Sequence, residues 1–129
     1  RFRMSTGPQI DNQIVIESGV PKGTTQPSFR YLVTGAGAPD VQPATFEPSL
    51  AFHEVGYDWT PSEVRFYLDG QVTHVLDGAA ARQLTQYQRL VMSAYPSRAD
   101  WLSDFDAKQL PLRAELDWVE IRSYVGPRP

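Results

Sequence analysis

The sequence predicts an all-β protein, a sandwich of two antiparallel sheets, and three observations carry that expectation. Short segments in which apolar and polar residues alternate recur at regular spacing along the 129 residues, without the intervening helices that βαβ units need. Eleven Pro and nine Gly interrupt these segments as frequent turns require. Six Phe, six Tyr and three Trp supply the bulky side chains that a pleated, half-buried surface accommodates.

The expected strands, in order, cover residues 1–5, 13–18, 28–33, 52–59, 63–68, 71–76, 88–95 and 114–124. The clearest pair is 52–70. His53, Val55 and Tyr57 alternate with Glu54, Gly56 and Asp58, and after Thr60-Pro61-Ser62 the residues Val64, Phe66 and Leu68 alternate with Arg65 and Tyr67. Pro61 presets the turn, and Asp69-Gly70 is the dipeptide favoured where a two-residue hairpin needs positive φ. Stretches 19–25 and 35–40 read as turns, and only 77–86 has helical composition. Residues 1–125 read as one domain and 126–129 as a frayed tail.

Composition excludes several classes. Without cysteine there is neither a disulfide nor a thiolate metal site. The net charge of -3 is spread along the chain, with none of the basic stripe that a phosphate backbone demands, so nucleic acid is not an expected partner. No apolar run approaches the ~20 residues of a membrane span, and the sequence does not open on a signal peptide. His53 and His74 fall on different strands, so no zinc site is expected, and Asp104 and Asp106 read as solvated loop acids; the sequence implies neither metal nor cofactor.

Several segments in order resemble glycoside hydrolase family 16, the laminarinase and lichenase group. They are Arg1-Phe2-Arg3-Met4, Asp11-Asn12-Gln13-Ile14-Val15-Ile16-Glu17, the strand 28–33, Phe-His-x-x-x-x-x-Trp-Thr-Pro over 52–61 with its following Asp-Gly, Leu90-Val91-Met92-Ser93-Ala94-Tyr95-Pro96 with Trp101, and Leu116-Asp117-Trp118-Val119-Glu120-Ile121. The resemblance implies a concanavalin A-like jelly roll, a secreted protein, and a site for β-1,3/1,4-glucan or a related polysaccharide. A complete family domain is longer than this chain, and eight residues separate Met4 from Gln13 where the family carries a further strand. The remaining strands are expected from a longer chain or from a second polypeptide completing the sandwich.

The family's catalytic strand reads Glu-x-Asp-x-Glu, and the matching same-face positions here are Gln13, Val15 and Glu17. A retaining glycosidase needs two carboxyl groups ~5–5.5 Å apart. By resemblance Glu17 is the acid/base candidate and Gln13 holds the nucleophile position. An amide cannot form a stable glycosyl ester, and Val15 cannot hydrogen-bond a neighbour. Asp11 would lie ~20 Å from Glu17 along a strand. For an inverting pair, Glu47, Glu54 and Asp58 are the available acids. Sugar rings present apolar C–H faces, so aromatic and hydrogen-bonding residues mark the cleft; Ser93, Tyr95 and Trp101 are the binding candidates, followed by Tyr31 and Arg30. Trp59 and Trp118 are expected in the core. The sequence thus reads as a β-glycan-recognising domain with a degraded catalytic strand; a lectin-like or repurposed interaction domain is the alternative.

Overall fold

The computed structural model describes residues 2–6, 12–85, 88–94 and 101–126. Eight strands build two antiparallel sheets: β1 (Phe2–Ser5), β2 (Ile14–Gly19), β3 (Ser28–Val33), β4 (Asp40–Pro43), β5 (Val55–Trp59), β6 (Glu63–Leu68), β7 (Gln71–Asp77) and β8 (Val91–Ala94). One sheet has the order β4-β3-β2-β1-β8 and the other β5-β6-β7. The all-β sandwich is therefore present, consistent with a jelly roll.

Alternation dictates which face is buried. Met4, Ile14, Ile16, Phe29, Tyr31 and Val33 project from the inner face of the five-stranded sheet, and Val64 and Phe66 of β6 answer from the other layer. Rings bind the layers together: Tyr31 lies 5.5 Å from Phe66 and 6.5 Å from His74, centroid to centroid. Tilted and offset rings at these separations add to the apolar burial that drives the contact. Burial also pushes the Tyr31 phenol above its ordinary value. Polar ties cross the same gap. Gln42 donates to the Thr73 carbonyl at 2.7 Å, and His74 Nδ1 lies 3.3 Å from Asp40.

The hairpin between β6 and β7 turns through Asp69 (φ 50°) and Gly70 (φ 76°), the two positive φ values that the Asp-Gly dipeptide predicts. Asp69 serves twice, accepting from Glu54 N–H at 2.9 Å and pairing with His53 Nδ1 at 2.7 Å. Helix α1 (Gly78–Gln83) begins where Asp77 Oδ1 accepts from Ala79 and Ala80, and it buries Ala80 and Ala81 in the core.

Three expectations change. Strand β4 forms where only the end of a turn was read, because its four residues pair with the edge of β3. The anticipated strand at 114–124 has no ladder; its residues are exposed, with Trp118 at 57 %. Trp118 is therefore not core, and neither is Trp59, which ends β5, an edge strand with no strand beyond it among the described residues. Asp11, Tyr95 and the tail from 127 lie outside the described residues.

Candidate functional site

Residues directly opposite in an antiparallel ladder share a face, so the register defines the rows across the outer face of the five-stranded sheet. One row runs Ser93, Arg3, Glu17, Arg30 and Val41, from β8 to β4. The next runs Val91, Ser5, Val15 and Leu32. Gln13 stands one residue before β2, its backbone fixed in both directions by Thr34: its N–H donates to Thr34 Oγ1 at 2.8 Å, and its carbonyl accepts from Thr34 N–H at 2.9 Å.

Glu17 is 1 % exposed, and Gln13 and Val15 are buried as well. Two guanidinium groups hold Glu17. Arg30 Nε lies 2.8 Å from Oε1, and Arg3 Nε lies 3.9 Å from Oε2. A buried carboxylate needs such partners, because its desolvation costs several kcal/mol, roughly, unless charge and hydrogen bonds offset it. Arg3 links the candidate positions directly, donating through Nη2 to Gln13 Oε1 at 2.8 Å and through Nη1 to Ser5 Oγ at 3.1 Å. What this face offers to solvent is therefore the two arginines, 25 % and 23 % exposed, rather than the glutamate beneath them.

Trp101 reaches this row from a loop. The guanidinium of Arg30 lies 5.3 Å from its ring centroid, a cation–π contact. The loop is anchored at the end of β2 by Lys22 N–H to the Trp101 carbonyl (3.0 Å), Ser103 N–H to Val20 (2.8 Å) and Ser103 Oγ to Pro21 (3.0 Å). Leu102 lies against Gly19, where an added Cβ would stand 2.4 Å from Leu102 Cδ2. A side chain at 19 would require the end of the Leu102 side chain to shift.

Of the residues anticipated from sequence, Gln13, Glu17, Arg30, Ser93 and Trp101 come together on this face. Tyr31 does not. It is one residue from Arg30 and so projects to the opposite face, into the aromatic core. Tyr95 lies outside the described residues. Among the acids considered for an inverting pair, Glu54 and Asp58 belong to the other sheet's side: Glu54 at the Asp69 turn, Asp58 accepting from Tyr67 at 2.7 Å. Glu47 binds Ser49 in an exposed loop. Sequence reasoning missed Arg3 as a site residue, and its place depends on β1 pairing beside β2, which nothing local to Arg3 signals. No group of three or more potential metal ligands occurs among the described residues.

Two antiparallel sheets packed on one aromatic core place the chain among the jelly-roll β-sandwiches. Within that class the chain belongs to the glycosyl hydrolases family 16, whose model matches residues 21–120. That match begins beyond Gln13 and Glu17. The chain is 33 % identical over 125 residues to a xylanase/beta-glucanase of Ruminococcus flavefaciens, covering 92 % of this chain and 15 % of that protein. It is 37 % identical over 75 residues to a beta-glucanase of Fibrobacter succinogenes, covering 57 % of this chain and 22 % of that one. A beta-glucanase of Paenibacillus macerans is 31 % identical over 105 residues, 79 % of this chain and 43 % of that protein. The chain thus spans less than half the length of each of these relatives.

Proposed function

We propose that this chain recognises a β-1,3/1,4-glucan or a related polysaccharide through the outer face of its five-stranded sheet, and that Gln13 and Glu17 do not hydrolyse it by the retaining mechanism. One observation carries this reading. The nucleophile position bears an amide held by Arg3, while both oxygens of Glu17 face arginines, so neither residue is placed to attack or protonate a glycosidic bond. The family and its β-glucanase relatives supply the ligand class. Arg3, Arg30, Ser93 and Trp101 supply the hydrogen-bonding and aromatic groups with which a sugar is met. An extracellular location follows from the same reading, since a polysaccharide is encountered outside the cell.

The test is a pair of measurements on laminarin and mixed-linkage β-glucan. Saturable binding without release of reducing ends is expected, and Gln13→Glu alone does not confer release because Val15 still occupies the middle position. Reducing-end release that Glu17→Gln abolishes would overturn the proposal.

A second reading as a repurposed interaction domain is favoured by exposed Leu116, Trp118 and Ile121. Beside them a broad opening is lined by Met4, Phe29, Tyr57, Trp59 and Met92. A further polypeptide segment completing the sandwich there is the partner this reading requires. Absence of binding to any glycan leaves it standing.

A further inference from the structure

A neutral sugar offers hydroxyl groups that both donate and accept, and sites for it commonly pair donors with free carboxylates or amide oxygens. The row around Glu17 is composed differently. Arg3, Arg30 and Ser93 bring donors and Trp101 an aromatic ring, while Glu17, the row's carboxylate, is flanked by the two arginines. Among the described residues the row carries two positive charges and one negative, in a chain whose net charge is -3. Trp101 Nε1 is buried without an acceptor, and Arg30 Nε, though 2.8 Å from Glu17, is not aligned to hydrogen-bond it. Neither atom is reachable from solvent, so any outside acceptor must be met by the terminal nitrogens of Arg30, whose side chain is 23 % exposed.

The orientation of Arg30 adds to this. Trp101 covers the guanidinium as an aromatic partner, and the terminal nitrogens donate to no described residue. A guanidinium stacked on an aromatic ring still presents its in-plane N–H fork at the edge, the geometry that receives an oxyanion in bidentate fashion.

Resting on the glycan-binding reading above, we propose that Arg30, backed by Trp101 and assisted by Arg3, selects glycans bearing an oxyanion substituent, either a uronate carboxylate or an ester sulfate, over neutral β-glucan. Arg30 is then a specificity-determining residue, and Glu17 is the positioning residue that holds the two guanidinium groups in one row.

Isothermal titration of the full chain against polygalacturonate, a sulfated galactan, neutral mixed-linkage β-glucan and polyglutamate tests this. At least one anionic glycan is expected to bind about tenfold more tightly than neutral glucan, which corresponds to about 1.4 kcal/mol. Whichever anionic glycan does so identifies carboxylate or sulfate as the substituent. Arg30→Gln removes that preference, and Arg30→Lys, which keeps the charge beside Glu17 but not the fork, keeps part of it. Neutral glucan binding as tightly as both anionic glycans, or polyglutamate binding as tightly as they do, overturns the inference. The first result leaves the glycan-binding proposal intact, whereas no binding to any of the three glycans overturns both. The comparison among polymers uses the unmodified chain and so does not depend on either variant folding.

Discussion

The two faces of the five-stranded sheet are made by the same strands and obey different rules. On the inner face Ile14, Ile16, Phe29, Tyr31 and Val33 meet Val64 and Phe66, and what matters is volume and apolar area. On the outer face Arg3, Gln13, Glu17 and Arg30 meet one another, and what matters is charge and direction. Ile16 and Glu17 are neighbours in the chain and project to opposite faces. The inner face is that of an ordinary sandwich, while the outer face carries a buried carboxylate between two guanidinium groups. The two sides of one strand can thus answer to different constraints.

The sharpest way to break the comparison is to damage the inner face alone. Phe66→Ala removes a fully buried ring that packs on Tyr31 and His74 and is expected to cost about 3–5 kcal/mol, read as a lower urea midpoint with unchanged slope. Glycan affinity measured well below that midpoint should change little. A smaller effect is expected from the outer face. Glu17→Gln keeps the shape but leaves two guanidinium groups beside a neutral amide. Since both arginines reach solvent, the loss should be about 2 kcal/mol, below the 3–5 kcal/mol typical of a wholly buried pair. An unchanged urea midpoint would show that the ion triad contributes nothing to the fold.

The smallest effect lies away from both faces, at the Asp69 turn. Burial alone would raise the Asp69 carboxyl, but the His53 ring and the Glu54 N–H outweigh it and hold the group below its ordinary value. A carboxyl lowered on folding binds fewer protons folded than unfolded, so its stabilising contribution is complete above about pH 4 and drains away as pH falls through the lower folded value. Solvent screening limits this to a few tenths of a kcal/mol, roughly. Asp69→Asn should therefore lower the neutral plateau of a melting-temperature profile by this small amount, leave the acid end almost unaltered, and so flatten the limb below about pH 4.

Legibility in the sequence followed locality. The β5–β6–β7 meander was readable because its alternation and its Asp69-Gly70 turn are encoded within a few residues. Gln13, Val15 and Glu17 could be assigned a common face from parity alone. Arg30 and Tyr31 could not be told apart, because a shift of one residue exchanges the faces and only the pairing Glu17↔Arg30 settles it. Arg3 was hidden for a related reason, since its role needs β1 placed between β2 and β8. Segment 114–124 carries the right alternation, yet alternation states which side would be buried and not whether a neighbouring strand is there to pair with. Strand β4, four residues ending in Pro43, had too little pattern to be seen at all.

The contact of Leu102 with Gly19 ties together two positions that are far apart in the chain. A side chain gained at 19 displaces the end of Leu102, and Leu102 sits next to Trp101 in the loop that carries the ring onto Arg30. Natural variants of this domain should therefore inherit the two positions as a couple. A larger residue at 19 is thus felt at the aromatic partner of Arg30, far along the chain from where the change is made.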